Sequence, residues 1–235
     1  MVSQITILTG AGVSAESGVK TFRDDGGLWE GHRVEDVATP EAFQRDPELV
    51  HHFYNLRRAQ LNEVEPNDAH RALARLVNEA KAEVTLVTQN VDDLHERAGL
   101  SENQVWHMHG QLRRVKCQEC GRSAACDGDL LVDSVCGLCG KKGEMRPDIV
   151  WFGEIPYGMD RIQNKLVKTD LFLAVGTSGA VYPAAGFVSL AKAAGAKTLE
   201  FNLAATNITG IFDEVYEGLA GETVSAWVEK YLEAE

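Results

Sequence analysis

Cys117-x-x-Cys120 and Cys136-x-x-Cys139 are two equal spacings separated by residues 121 to 135, and nothing else in the chain constrains folding so tightly. Each CxxC turn can present two thiolates to one ion, and two such pairs at this separation match a tetrahedral four-cysteine zinc ribbon. From Cys117 to Gly143 the chain is rich in Cys, Gly and charge, with few large apolar residues, so it cannot build a core of its own. Gly121, Gly137 and Gly140 stand where knuckle turns need small or left-handed residues. Buried or redox-active thiols are the competing reading, and two correctly spaced pairs speak against it. Four thiolates fill the coordination sphere and leave no position for a reacting water, so the expected zinc is structural. Cys126 is left over and reads as an incidental thiol. Five cysteines, an odd number, argue against a disulfide framework.

Outside this insert, short apolar strands alternate with helical patterns, which predicts a parallel sheet with crossover helices. Ile5–Thr9, Val84–Thr88, Leu171–Gly176 and Thr198–Asn202 are the strand candidates, rich in the residues expected of strands buried on both faces. Each ends in small or polar residues: Gly10-Ala11-Gly12, Gln89-Asn90, Gly176-Thr177-Ser178 and Asn202. Ligands of open α/β sheets bind beyond the carboxyl ends of strands, so these four endings are expected to line one crevice. Helices are predicted over Leu49, Phe53, Leu56 and Gln60 after Asp46-Pro47, and over Ala69, Leu73, Leu76, Val77 and Ala80 after Pro66-Asn67. Two more are predicted over 183–194 and 222–232.

The same crevice collects the residues suited to chemistry. Gly10-Ala11-Gly12-Val13-Ser14 follows the first strand directly, and small residues there let backbone amides approach a pyrophosphate. It is not the GxGxxG fingerprint, and a plain tight turn explains the glycines about equally well. Gln89-Asn90-Val91-Asp92 supplies three polar side chains just beyond a buried strand. Trp106-His107-Met108-His109-Gly110 places two histidines two apart, on one face of any strand. A lone histidine is more often a satisfied structural group. With an unperturbed pKa near ~6.5, however, one in a crevice is the natural general base at neutral pH.

The formal charge of −12, from 23 basic against 35 acidic residues, repels phosphate backbones and argues against direct nucleic-acid binding. It is compatible with a basic peptide. No apolar run is long enough to span a bilayer. The chain opens straight into a strand, without a basic start and apolar secretory core, so a cytoplasmic location is expected.

Gly10-Ala11-Gly12-Val13-Ser14, Thr21-Phe22-Arg23, Thr88-Gln89-Asn90-Val91-Asp92, His109-Gly110, the two CxxC pairs, Val150-Trp151-Phe152-Gly153-Glu154 and Gly176-Thr177-Ser178 occur in the order seen in sirtuins. From about Ile5 to Leu232 the chain resembles that family, and within it the bacterial class III, desuccinylase-type branch. The resemblance implies a single catalytic domain over 1–235. Its Rossmann-like part, a parallel sheet with helices on both faces, would cover about 1–112 and 148–235, with a helical segment at about 40–80. A zinc-ribbon module would occupy about 113–147. It also implies an NAD-dependent protein-lysine deacylase, a monomer acting on acyl-lysine proteins or peptides, with NAD as co-substrate and structural zinc.

Residue by residue, the resemblance places Gly10, Ala11, Gly12 and Ala15 at the pyrophosphate, and Phe22, Arg23 and Trp29 in a mobile stretch over the cofactor. Gln89, Asn90 and Asp92 would surround the nicotinamide and its ribose. Gly176, Thr177, Ser178, Asn202, Leu203, Ala204 and Ala220 would reach the adenosine half. Phe152, Gly153 and Glu154, led by Val150, and Val181 with Tyr182 would flank the substrate peptide as two strands. The implied reaction moves no hydride. The acyl oxygen displaces nicotinamide from the ribose, His109 then takes a proton relayed through the ribose hydroxyls, and water releases lysine and 2′-O-acyl-ADP-ribose. Asn90 and Asp92 would supply oriented dipoles and charge at the reacting ribose.

Tyr54 and Arg57 lie three apart and share a helix face, which unaided reads as a solvated surface pair. In the class III branch a Tyr and an Arg at this spacing line the acyl pocket, and an Arg fork suits a succinyl, malonyl or glutaryl carboxylate. Two departures bear on this. Asp24-Asp25 adds carboxylates after Arg23, where small residues are common, and Ala204 stands where an acidic residue is common. Three other functions share parts of this pattern. An NAD-linked oxidoreductase would need the missing fingerprint and ribose acid, a protein ADP-ribosyltransferase would label its target, and a non-catalytic reader of acyl-lysine or ADP-ribose would release no nicotinamide.

Overall fold

Ile5, Thr6, Ile7, Leu8 and Thr9 are all buried, as a strand covered on both faces requires, and they form the middle of a parallel sheet. The computed structural model describes residues 2–20 and 31–235, and the backbone alone at 28–29. Along the chain the strands are β1 (Gln4–Thr9), β2 (Leu28–Trp29), β3 (His32–Arg33), β4 (Glu83–Thr88), β5 (Val105–His107) and β6 (Gly110–Cys117). There follow β7 (Ser123–Ala125), β8 (Met145–Ile149), β9 (Leu171–Val175), β10 (Lys197–Asn202) and β11 (Glu214–Glu217). The helices are α1 (Gly12–Ala15), α2 (Val34–Val37), α3 (Pro40–Arg45), α4 (Pro47–Gln60) and α5 (Asp68–Glu79). The rest are α6 (Leu94–Arg97), α7 (Met159–Leu166), α8 (Phe187–Ala193) and α9 (Ala220–Glu233).

The main sheet has the order β11-β10-β9-β1-β4-β5, with every neighbouring pair parallel. All four strands expected from sequence are present, with bounds shifted by one residue at most. The sheet also gains β5 and β11 at its edges. Neither announces itself: β5 has three residues, and β11 reads Glu-Val-Tyr-Glu, without the apolar run of a central strand. On one face, Ile5, Ile7, Leu173 and Leu199 pack with Leu73 and Leu76 of α5 and Val224 and Val228 of α9. On the other, Leu8, Phe172 and Ala174 pack with Ile162 and Leu166 of α7 and Phe187 and Val188 of α8. Each fully buried aliphatic side chain contributes roughly 1.5–3 kcal/mol, so the sheet is held from both sides.

The α4 and α5 starts follow their capping residues. Asp46 accepts the Leu49 amide at 3.0 Å ahead of Pro47, and Asn67 accepts the Ala69 and His70 amides at 3.0 and 3.3 Å. The buried face of α4 differs from the expected one. Leu56 is 58 % exposed, whereas Tyr54 is 0 % and Arg57 7 % exposed, so the pair is not a solvated one. The reason is the neighbour. Helix α4 packs on Leu112, Ile149 and Trp151 through Val50, Phe53 and Tyr54, and does not lie on the main sheet.

The insert is a three-stranded antiparallel sheet, β7-β6-β8, whose flanking strands reach from Gly110 to Ile149. Its two knuckles close alike, Gly121 donating to the Cys117 carbonyl at 2.9 Å and Gly140 to that of Cys136 at 2.8 Å. The four sulfurs lie within 4.8 Å of one another, with Cys117–Cys139 at 3.8 Å and Cys120–Cys136 at 3.9 Å. A tetrahedron with metal–sulfur bonds of about 2.3 Å has edges of about 3.8 Å, so the spacing fits one zinc ion. It is far too long for disulfides, whose sulfurs stand about 2.05 Å apart. Only Val115, Leu130 and Met145 pack with Cys117 and Cys136 in the module's buried cluster. Metal must therefore supply most of its stability, on the order of 10 kcal/mol. Elemental analysis of the purified protein should find one zinc per chain. Cys117→Ser should lower that at least tenfold and drop Tm by more than about 10 °C, while undiminished zinc in the variant would refute the site.

Candidate active site

The sheet order reverses between β1 and β9, and at that switch point two glycine turns meet. The Gly10 amide donates to the Val175 carbonyl at 3.0 Å and the Gly12 amide to the Gly176 carbonyl at 2.8 Å. A Cβ on Gly12 would stand 2.8 Å from the Gly176 backbone, and one on Gly176, at φ +60°, only 2.3 Å from the Val13 nitrogen. These glycines thus serve a backbone-on-backbone contact. The Gly10 and Gly12 amides are already committed, which the sequence pattern does not reveal. The turn that results is short and bare, a cradle whose rim is Ala11, with Ala15 exposed at the end of α1.

Polar residues from the neighbouring strand end complete the floor. Asn90 donates through Nδ2 to Ser14 Oγ at 3.0 Å, and Ser14 donates to Asp92 Oδ2 at 2.9 Å. Asp92 Oδ1 accepts the Leu94 amide at 3.2 Å. All three side chains are buried, and burial raises the Asp92 carboxyl above its usual range against those two hydrogen bonds. Gln89 donates to Thr177 Oγ1 at 3.0 Å, and Asn202 Nδ2 donates to the Thr177 carbonyl at 2.8 Å. The ends of β4, β9 and β10 are thereby stitched together. Ser14 is the residue that sequence reading left out of the site. Its signal was a hydroxyl placed directly after the apolar Val13.

The two histidines do not share a strand face, because β5 ends at His107 and His109 lies in the turn before β6. His107 sits between two acceptors, the Glu96 carboxylate at 2.6 Å and the Asn90 carbonyl at 3.3 Å. It is the satisfied structural one. His109 Nδ1 lies 3.0 Å from the Gln89 carbonyl. A carbonyl only accepts, so Nδ1 carries the proton and the lone pair resides on Nε2. Burial lowers the His109 pKa despite that hydrogen bond, and the ring is neutral at pH 7.

His109 leads directly to the α4 side of the crevice, since its carbonyl accepts the Val150 amide at 2.9 Å. One residue on, Trp151 Nε1 donates to the Tyr54 hydroxyl at 3.0 Å. Arg146 stacks 3.4 Å over the Trp151 ring and pairs with Glu154 at 2.7 Å. Burial raises the Tyr54 pKa, so its hydroxyl stays protonated and can donate. The Arg57 guanidinium stands 5.8 Å from the Phe53 ring centroid. Structure and expectation differ at the peptide-flanking segments. Phe152 and Gly153 form a turn closed by Glu154 N–H to the Trp151 carbonyl at 3.0 Å, and Val181-Tyr182 is irregular, so neither segment is a strand here. Both leave an aromatic exposed, Phe152 at 48 % and Tyr182 at 79 %.

At the far end, Ser178 is half-buried, Leu203 and Ala204 are exposed, and Ala220 is buried in the main core at the start of α9. Phe22, Arg23 and the Trp29 side chain lie outside the described residues, as do Asp24 and Asp25. No helix among the described residues is long and apolar enough to cross a membrane.

Residues 10–183 match the sequence model of the Sir2 family. A curated relative from Bdellovibrio bacteriovorus, named NAD-dependent protein deacylase, is 55 % identical over 99 % of this chain and 98 % of its own. A Sir2 homologue solved as an NAD complex is 39 % identical, with a TM-score of 0.89 over 99 % of this chain and 91 % of that one. A Sir2 protein solved with an acetylated peptide is 26 % identical, with a TM-score of 0.79 over 99 % and 93 %.

Two buried histidines flank this arrangement. His51 on α4 and His70 beside Ser14 are both pushed down to about 4, by burial first and then by Arg58 and Arg71 respectively. A depressed histidine is neutral when folded but protonates when unfolded. The stability it lends is complete above pH 6.5 and is lost as pH falls toward 4. Each should contribute a slope of about 1.4 kcal/mol per pH unit across that window. Denaturant titrations at pH 4.5 to 7.5 should show His51→Leu with a slope shallower by about one proton. An unchanged slope would count against the assignment.

Proposed function

This chain belongs to the Sir2 family, and we propose that it removes acyl groups from protein lysines at the expense of NAD, the zinc serving structure alone. One observation carries the reading at the level of residues. At the switch-point crevice, His109 holds its proton on Nδ1 toward Gln89 and its lone pair on Nε2, next to the Asn90–Ser14–Asp92 network. Bound NAD supplies the electrophilic ribose carbon and a good leaving group in nicotinamide. The bare turn at Gly10, Ala11 and Gly12 admits a pyrophosphate without side-chain interference, while Gln89, Asn90 and Asp92 present polar groups to the nicotinamide half. Asn90 offers a fixed amide dipole, and His109 accepts the proton whose removal lets acyl transfer proceed. Four cysteines gathered as metal ligands instead of disulfides suit a reducing cytoplasm.

Tyr54 and Arg57 support acidic acyl groups as substrates besides acetyl. A buried guanidinium meets a succinyl or malonyl carboxylate in a low local dielectric, where a charged fork is worth far more than at the surface. The protonated Tyr54 hydroxyl can donate to the same carboxylate. The peptide would lie between Phe152-Gly153-Glu154 and Val181-Tyr182, segments with exposed aromatics that a guest backbone could order.

Incubation with NAD and acetyl-, succinyl- and malonyl-lysine peptides, read by mass, should give free lysine, nicotinamide and acyl-ADP-ribose. Label fixed on the protein, or binding without nicotinamide release, would instead support transfer to protein or a mere reader. His109→Ala should lower turnover at least 1,000-fold with Tm changed by only a few degrees; a fully active variant would refute the base. Arg57→Met should cut desuccinylation about 100-fold or more while sparing deacetylation, and equal loss of both would sink the selectivity role.

A further inference from the structure

Helix α4 carries two side-chain pairs of equal spacing on adjoining faces. Tyr54 takes the face toward Trp151, with Arg57 over the ring of Phe53 beside it, and Asn55 and Arg58 take the face toward the zinc module. Asn55 grips Leu130 as one strand residue grips another. Its Nδ2 donates to the Leu130 carbonyl at 2.9 Å and its Oδ1 accepts the Leu130 amide at 2.9 Å. Arg58, 1 % exposed, donates from Nε to the Leu112 carbonyl at 2.7 Å, and from Nη1 to Asn55 Oδ1 at 2.8 Å and the Gly128 carbonyl at 3.1 Å. Leu130 in turn packs with Cys117 and Cys136, two of the metal's ligands.

All three acceptors of Arg58 are neutral amide oxygens. A buried guanidinium held in this way is a costly means of fixing a helix, since an apolar residue of similar size would avoid the desolvation. What the planar fork adds is direction. We infer that Asn55 and Arg58 are positioning residues for acyl-group selection: they lock the rotation of α4 to the zinc module and so set where Tyr54 and Arg57 stand against the acyl chain. The lever is long. A helix radius of about 2.3 Å plus an extended arginine puts a guanidinium roughly 9 Å from the axis, so a 10° rotation displaces it by about 1.5 Å. Displacements near 1 Å cost up to roughly 100-fold at a reacting or binding group. A short, uncharged acetyl group makes no such demand on Arg57. The inference rests on the acidic-acyl reading of Tyr54 and Arg57.

Its test is the KM of the full, zinc-loaded protein for one peptide carrying either succinyl- or acetyl-lysine. Asn55→Ala should raise KM for the succinyl peptide about tenfold, with acetyl KM, NAD KM and zinc content each within twofold of the parent. Arg58→Lys, which keeps the charge but not the fork, should act in the same direction. Asn55→Asp, which keeps the acceptor for Arg58, should recover part of the loss. Should Arg58 variants fail to fold, the half-buried Asn55 decides the matter alone. Equal KM changes for both peptides, or an unchanged ratio, would overturn the inference while leaving the acidic-acyl reading intact, provided that desuccinylation of the parent still depends on Arg57. Absent or Arg57-independent desuccinylation overturns both.

Discussion

Gly12 and Gly176 touch backbone to backbone where the sheet changes direction, and the crevice exists because no side chain can stand between them. The contact fixes the turn after β1 against the turn after β9. Two residues beyond Gly12, Ser14 is thereby delivered to Asn90 and Asp92 at the end of β4. Thr177, next to Gly176, receives Gln89 on its hydroxyl and Asn202 on its carbonyl. Four strand ends are thus cross-linked through the immediate neighbours of one pair of glycines. A Cβ at either position would force apart the turns that align all four, which no rotamer change elsewhere could repair.

The crevice so formed favours neutral groups. Burial pushes Asp92 upward and His109 downward, so each is moved toward its uncharged form. For His109 that is the form a base requires, and the Gln89 carbonyl settles which nitrogen bears the proton. For Asp92, the Ser14 hydroxyl and the Leu94 amide oppose the desolvation without overcoming it. Proton position and charge therefore come from one act of folding, and neither needs a separate device.

What could be read from sequence was what depends on spacing and local chemistry. The CxxC pairs foretold the module, since two knuckles of fixed length bring four sulfurs to a tetrahedron's edge length whatever surrounds them. Apolar runs ending in Gly, Asn or Thr foretold the sheet and its crevice. Tertiary partners were not legible. The face of α4 was misjudged because Leu56 looks like core and Tyr54 with Arg57 like surface, and only the small module's position reverses them. The sharing of a face by His107 and His109 failed for a similar reason, as β5 stops at its third residue. The glycine loop was ambiguous in sequence because a tight turn and a close approach need the same residue type. What the structure displays is a tight turn held against the Gly176 backbone.

Helix α4 carries adjacent buried cations, Arg57 and Arg58, whose desolvation costs free energy. Burial lowers the Arg58 pKa, and nearby Arg113 adds to that, while Cys126, Asp129 and Asp127 oppose it. Those stabilising groups all belong to the zinc module, as do the Gly128 and Leu130 carbonyls that α4 uses. Without the folded module, Arg58 would lose the Leu112 and Gly128 acceptors and the nearby carboxylates, and α4 would lose its contact with Leu130. The four-cysteine cluster closes the module, the module contacts α4 through Asn55 and Arg58, and α4 carries Tyr54 up to Trp151. If α4 positions the acyl-selecting pair as inferred, a structural ion with no open coordination site acts on substrate choice through packing and hydrogen bonds alone.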